Sequence, residues 1–229
     1  MKIDFLRKKI NDRFVNFFEN KNIAFGYTEK NFNLHDLSIY FKHSNLIELE
    51  QIHSNIIFQS SQVEYGIKGD GIILDQKSKI AIIKTADCIP LFFWDDIYSY
   101  GGIIHIGWRG LHKEIELNLI ELLKNKSIKL ENLNFFFGPS IGKDCYEVDQ
   151  NIYTKFKDKK YRNKIFFANK KERYLMDIKK GISYSLKKSG IIDEKITYSK
   201  ICTFCDKRFP SYRRDKETNL RIYNFLILK

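Results

Sequence analysis

Four short apolar runs crowd into the stretch between residues 72 and 106, and they constrain the fold more than any other feature. Ile72-Ile73-Leu74, Ile80 to Thr85, Leu91 to Trp94 and Gly101 to Ile106 read as a dense set of buried strands, preceded by the turn signal Gly69-Asp70-Gly71. Two of them deliver polar segments, Thr85-Ala86-Asp87-Cys88-Ile89-Pro90 and Ile104-His105-Ile106-Gly107-Trp108-Arg109-Gly110. A thiol, an imidazole, a carboxylate and a guanidinium are thereby gathered at one sheet end. Core packing has no use for that mixture. It reads as an active site.

The remaining elements are placed around it. Phe5, Leu6, Ile10, Phe14, Phe17 and Phe18 lie near helical spacing, which predicts a helix over 4–19 with Asp4 as N-cap. Asn22 to Tyr27 predicts a strand, and the weakly patterned stretch from Thr28 to Ser44 a loop. Leu46 to Leu49 and Asn55 to Gln59 flank Gln51-Ile52-His53-Ser54. Glu114 to Lys124, Asp149 to Lys157 and Asp177 to Lys188 predict helices; Asn134 to Phe137 and Lys195 to Lys200 predict strands. The apolar tail Ile222 to Leu228 is expected to pack on the core. Strands and helices alternate without a regular βαβ period, so the expected class is α/β with a mixed sheet. No linker divides the chain, and 43% apolar with 15% aromatic content suffices for one sizeable core; residues 1–229 are expected to form a single domain.

The net charge of +12 raises the question of nucleic acid. Lysine is scattered with asparagine and isoleucine along the whole chain, and no nucleic-acid motif accompanies it. A positive field that attracts phosphate or an anionic substrate is the better reading. Cys88, Cys145, Cys202 and Cys205 fit neither a secreted disulfide framework nor an all-cysteine zinc ribbon. The N-terminus, with charges among its first nine residues, does not read as a signal peptide, and no apolar run approaches membrane-spanning length. A soluble, cytoplasmic protein is expected.

Three residues have the right types for a catalytic zinc: His53, Cys88 and His105. Zinc takes nitrogen and sulfur ligands tetrahedrally, and three protein ligands leave one position open. Spacing alone leaves a satisfied core histidine and a structural cysteine as alternatives. Asp87 is equally a backbone cap, Arg109 an ion-pair partner, and Trp108 a packing residue. His35, His43 and His112 are expected at the surface. Cys202-Thr203-Phe204-Cys205 is a lone CxxC, open to a redox or metal role or to simple packing.

Taken together, the motifs resemble a known family. Gln51-x-His53, Gly69-Asp70-Gly71, Thr85-Ala86-Asp87-Cys88-x-Pro90, His105-x-Gly107-Trp108-Arg109-Gly110, Gly138-Pro139 with Cys145-Tyr146-Glu147-Val148, and Cys202-Thr203 with Phe209-x-Ser211-Tyr212-Arg213-Arg214-Asp215 stand in the order seen in YfiH-type proteins, also called laccase-domain or polyphenol oxidase proteins. The resemblance implies a layered α/β/β/α sandwich. It implies Zn²⁺ held by His53, Cys88 and His105, and phosphate-dependent cleavage of adenosine, inosine, guanosine and methylthioadenosine, with adenosine deamination in addition. Purine nucleosides and inorganic phosphate would be the partners. Asp87 is the candidate proton shuttle, and Arg109 with Arg213 or Arg214 the candidate phosphate-binding pair.

Departures from the family pattern stand at Glu29, where an arginine is expected, and at Thr218-Asn219-Leu220-Arg221, which replaces Thr-Gly-Arg. The segment from Tyr27 to Gln51 is also short. Two rival functions stay open: a hydrolase or deamidase with Cys88 as nucleophile and His105 as base, and an accessory role in peptidoglycan editing. Multicopper oxidation needs a thiolate-bound copper and a further imidazole cluster, for which five histidines are too few.

Overall fold

The computed structural model describes residues 3–42, 44–97, 100–216 and 218–229. Its strands are β1 (Leu6–Ile10), β2 (Arg13–Glu19), β3 (Ile23–Thr28), β4 (Asn45–Glu48), β5 (Ile57–Gln59), β6 (Gly71–Leu74), β7 (Lys79–Thr85), β8 (Ile89–Asp95), β9 (Gly101–Ile106), β10 (Leu133–Phe137), β11 (Glu147–Asp149), β12 (Phe166–Lys170), β13 (Arg173–Met176), β14 (Ile196–Tyr198) and β15 (Ile222–Leu228). The helices are α1 (His35–Tyr40), α2 (Trp108–His112), α3 (Ile115–Asn125), α4 (Gln150–Lys155), α5 (Arg162–Ile165), α6 (Ile178–Lys188) and α7 (Tyr212–Asp215).

Two six-stranded sheets carry the fold, in the orders β1-β2-β3-β15-β7-β4 and β14-β10-β8-β9-β6-β5; β11, β13 and β12 form a third, small sheet. Most pairs are antiparallel, but β4 with β7, β5 with β6 and β10 with β14 run parallel, so the sheets are mixed.

The period of two along each strand explains the layering. In β7, Ala81 and Ile83 face the second sheet, whereas Ile80 and Ile82 join Leu37 and Phe41 around α1. In β8, Phe92 and Trp94 enter the layer between the sheets, whereas Leu91 and Phe93 pack toward α3 and α6 with Leu119, Leu123, Ile182 and Leu186. Both faces of each central strand are therefore buried, which is why these segments are apolar throughout. The result is helix, sheet, sheet, helix: the expected α/β/β/α sandwich.

Two predicted elements are corrected. The stretch 4–19 is not a helix but the hairpin β1–β2, paired from Leu6↔Phe17 to Ile10↔Arg13. Its turn residues Asn11 and Asp12 both have positive φ (45° and 65°), the backbone of a tight two-residue hairpin loop that Asn and Asp tolerate. Phe14, Phe17 and Phe18 fit a helical period by chance, while Val15 and Phe17 supply the alternation that buries one strand face. The predicted loop 28–44 contains α1, one and a half turns held by the burial of Leu37 and, just beyond it, of Phe41 rather than by a side-chain cap. The shorter predicted strands and the helices at 114–124, 149–157 and 177–188 all have counterparts. Asp149 and Asp177 serve as N-caps, accepting from Ile152 N–H (3.0 Å) and Lys180 N–H (3.0 Å).

Candidate metal centre

The site forms where the chain passes between the two large sheets. Cys88 lies on the link from β7, in the first sheet, to β8, in the second; His53 lies on the link from β4 to β5, which makes the same passage. His105 is on β9 beside β8, in register with Pro90. One end of the sandwich therefore receives all three.

Each is fixed by its surroundings. The Gln51 side chain behaves like an extra strand residue on β7, donating to Lys84 O (2.9 Å) and accepting from Lys84 N–H (2.7 Å). That docks the loop carrying His53. His53 itself takes a left-handed backbone (φ 57°), as does Asp87 (φ 90°), conformations that persist only where neighbours over-determine them. For His53 the determinant is Asp70, which is fully buried. Its carboxylate accepts from His53 N–H (3.0 Å), Ser54 N–H (2.5 Å), Ser54 Oγ–H (2.6 Å) and the His105 ring at Nδ1 (2.8 Å). Burial opposes ionisation of Asp70, yet the hydrogen bonds from His105 and Ser54 prevail and hold its carboxyl down at about 2.

With Nδ1 of His105 engaged by Asp70, Nε2 is left for the cluster. The ligand atoms of His53, Cys88 and His105 lie within 4.8 Å of one another, with Cys88 Sγ 4.0 Å from His53 Nε2. The two imidazoles meet edge to face at 4.7 Å between ring centres. Burial would push the Cys88 thiol up, but the imidazoles of His105 and His53 override it and hold the thiol at about 6. Burial would likewise push His105 down, and the Cys88 sulfur and the Asp70 carboxylate raise it instead. Gly107 closes the cluster from the side: a Cβ there would stand 2.9 Å from Cys88 Sγ and 3.2 Å from His53 Cδ2.

The donor set fits a metal ion. Two imidazoles and a thiolate at these separations match tetrahedral bonds of about 2.0–2.3 Å to zinc, with a fourth position left over. The carboxylate behind His105 is the outer partner that orients a ligating imidazole and fixes its tautomer. Asp70 is the residue that sequence reasoning missed: Gly69-Asp70-Gly71 reads as a turn, and only the fold shows its carboxylate serving two loops.

The other expected residues divide. Asp87 is buried, and its carboxylate accepts from Thr203 Oγ–H (2.6 Å), Ser211 Oγ–H (3.0 Å) and Arg213 N–H (2.7 Å). It pins the C-terminal loop beside Cys88. Arg214 spends all five N–H donors on Asp215 and on the carbonyls of Thr203, Phe204 and Phe209, so it braces the same loop and has no donor left for phosphate. Arg109 and Arg213 are exposed, one 4.6 Å from the Trp108 ring and the other 5.4 Å from the Tyr146 ring. Glu29 is buried and held by Arg7 (2.7 and 3.0 Å), with Arg208 at 3.8 Å, and Arg221 turns onto its own loop through Thr218 O and Leu220 O. His35 and His112 belong to no metal-ligating cluster among the described residues, and His43 lies outside them. A cavity of about 430 Å³ is lined by Tyr40, Phe41 and Lys229 among others and by none of the site residues.

Comparison with known proteins gives the family. The family described as multi-copper polyphenol oxidoreductase laccase matches residues 27–229. The chain belongs to this YfiH-type family. A purine nucleoside phosphorylase of Rickettsia prowazekii, RP494, is 31% identical over 204 residues, covering 86% of this chain and 84% of that one. The purine nucleoside phosphorylase YlmD of Bacillus subtilis is 30% identical over 195 residues, covering 79% and 69%. The crystal structure of the hypothetical protein YfiH of Bacillus licheniformis superposes with a TM-score of 0.86 at 24% identity, covering 96% of this chain and 98% of that one. The YfiH-type sandwich is thus shared over nearly the whole chain. No helix among the described residues is long and apolar enough to cross a membrane.

Proposed function

We propose that this YfiH-type protein is a zinc-dependent purine nucleoside phosphorylase. It cleaves adenosine, inosine, guanosine and methylthioadenosine with phosphate, and it deaminates adenosine in addition. The observation that carries the reading is the convergence of His53, Cys88 and His105, backed by Asp70, in a chain whose relatives are named purine nucleoside phosphorylases.

A zinc ion held by these three side chains supplies a Lewis acid at the site. The remaining work falls to the chain. Asp70 keeps the His105 Nδ1–H pointed away from the metal position, so that Nε2 presents a lone pair. Arg109 and Arg213 offer exposed, planar guanidinium groups suited to bidentate contact with inorganic phosphate. In phosphorolysis a phosphate oxygen bonds to C1′ as the bond from C1′ to the purine nitrogen breaks, giving free base and pentose 1-phosphate. The phosphate must therefore sit beside the sugar, and the two arginines are the groups to hold it. Tyr146, whose phenol is kept protonated by burial, lies under Arg213 and orients it. Asp87, with both oxygens engaged, positions the Thr203 and Ser211 loop rather than shuttling protons.

Cys88→Ala tests this reading. It is expected to abolish zinc binding at the cluster together with phosphorolysis; full activity in that variant overturns the reading. A second reading draws on the Cys88 sulfur, which the imidazoles of His105 and His53 favour as thiolate. Without metal that pair is a cysteine nucleophile with its base. Alkylation separates the two: zinc protects Cys88 in the first reading and leaves it reactive in the second.

A further inference from the structure

The CxxC at Cys202 and Cys205 has no second pair in sequence, but the fold provides a third sulfur. Cys145 ends the short turn Lys143–Cys145 and comes up against both. The three Sγ atoms lie within 4.8 Å of one another, with Cys145 and Cys205 3.4 Å apart. None of them belongs to the His53–Cys88–His105 cluster.

Several features set this trio apart from chance packing. Cys202 Sγ accepts a hydrogen bond from Gly142 N–H at 3.2 Å. The spacing of two residues between Cys202 and Cys205 is the usual interval for a pair of cysteine ligands. Bonds of about 2.3 Å from one cation to three sulfurs place those sulfurs roughly 3.8 Å apart, the scale seen here. A disulfide would use two of the three and leave the last unexplained. Cys145 and Cys202 are half-buried and Cys205 is exposed, so a fourth position opens to solvent.

We propose that Cys145, Cys202 and Cys205 form a second metal centre, a solvent-facing tri-thiolate site for a thiophilic d¹⁰ cation, zinc in the first instance. Its place in the fold gives it a task. Ser140 bridges Cys202, Thr203 N–H bonds to Ser140 O (3.1 Å), Ile141 N–H bonds to Asp87 O (3.0 Å), and Thr203 Oγ–H bonds to the Asp87 carboxylate. A cation at the trio clamps together the two loops that hold Asp87, the neighbour of Cys88. The second centre thus stiffens the wall of the first without touching its ligands.

The test is metal stoichiometry of the full chain, purified with reductant, loaded with Zn²⁺ and freed of excess. Wild type is expected to keep about two zinc ions per chain, and Cys205→Ser and Cys88→Ala about one each. Cys205 is exposed, so its serine variant tests the ligand without disturbing the core; Cys145→Ser provides a second probe. With Co²⁺ in place of zinc, thiolate-to-cobalt absorption should fall by roughly three quarters when the trio is lost and roughly one quarter when Cys88 is lost. One zinc in wild type, fully retained by Cys205→Ser, overturns the proposal. So does an intact mass lower by about two hydrogens with no zinc at the trio after reductant is withdrawn, which makes the pair a disulfide. Because Cys88→Ala is scored separately, a failure at either centre is distinguishable from a failure at the other.

Discussion

Replacing Asp70 by asparagine should damage both the stability of the protein and the metal centre, although Asp70 is no ligand. The carboxylate is fully buried and takes four hydrogen bonds of 3.0 Å or less, from His53 N–H, Ser54 N–H, Ser54 Oγ–H and the His105 ring. Asparagine keeps the shape and loses the charge, and its NH₂ group must face at least one donor. Removing one partner from a buried charged pair costs about 3–5 kcal/mol. Loss of an outer carboxylate behind a ligating imidazole lowers metal affinity about 10–100-fold. Two assays read these separately: urea unfolding of the metal-free chain gives the stability loss, and competition with a zinc-binding dye gives the affinity. A variant within about 1 kcal/mol of wild type, with unchanged zinc affinity, refutes the claim that Asp70 organises the site.

Other outcomes follow from the same geometry. Gly107→Ala puts a Cβ 2.9 Å from Cys88 Sγ, so zinc affinity should fall at least about tenfold while far-UV circular dichroism stays the same. Arg109→Ala should raise the KM for phosphate about tenfold or more and leave adenosine deamination nearly unchanged; equal losses in both make Arg109 structural. Glu116 is wholly buried between α3 and α6, and burial raises its carboxyl from 4.5 to about 7. An acid whose folded value is raised stays protonated in the native state while the unfolded chain ionises. Stability contributed below pH 4.5 is therefore lost between about pH 4.5 and 7, at a cost on the order of 3 kcal/mol. Glu116→Gln should be indistinguishable from wild type at pH 4 and more stable at pH 8, as read by thermal or urea unfolding.

How much of this was legible in the sequence depended on which forces act locally. The strands from Gly71 to Ile106 are buried on both faces, so their apolar runs announced them. The hairpin at 6–19 reads as a helix in sequence because its phenylalanines also fit the helical period, and the backbone of Asn11 and Asp12 decides for the turn. Helix α1 left no pattern, since six residues carry too few apolar positions to show one. At the site, residue type alone marked out His53, Cys88 and His105. Roles that depend on spending hydrogen-bond donors and acceptors were invisible: Arg214 resembles a phosphate ligand until its five donors are seen on Asp215 and on the carbonyls of Thr203, Phe204 and Phe209. The thiol trio needs Cys145 to meet a loop far along the chain, which only the fold can arrange.

Phosphorolysis at the His53–Cys88–His105 centre is tested most directly by product identification with zinc-loaded wild type and adenosine, with and without phosphate. Free purine base, adenine together with hypoxanthine from any adenosine deaminated first, and ribose 1-phosphate are expected in equal amounts, formed only when phosphate is present. Adenosine left intact with phosphate supplied, or a Cys88 that alkylates freely in the zinc-loaded protein, would contradict it.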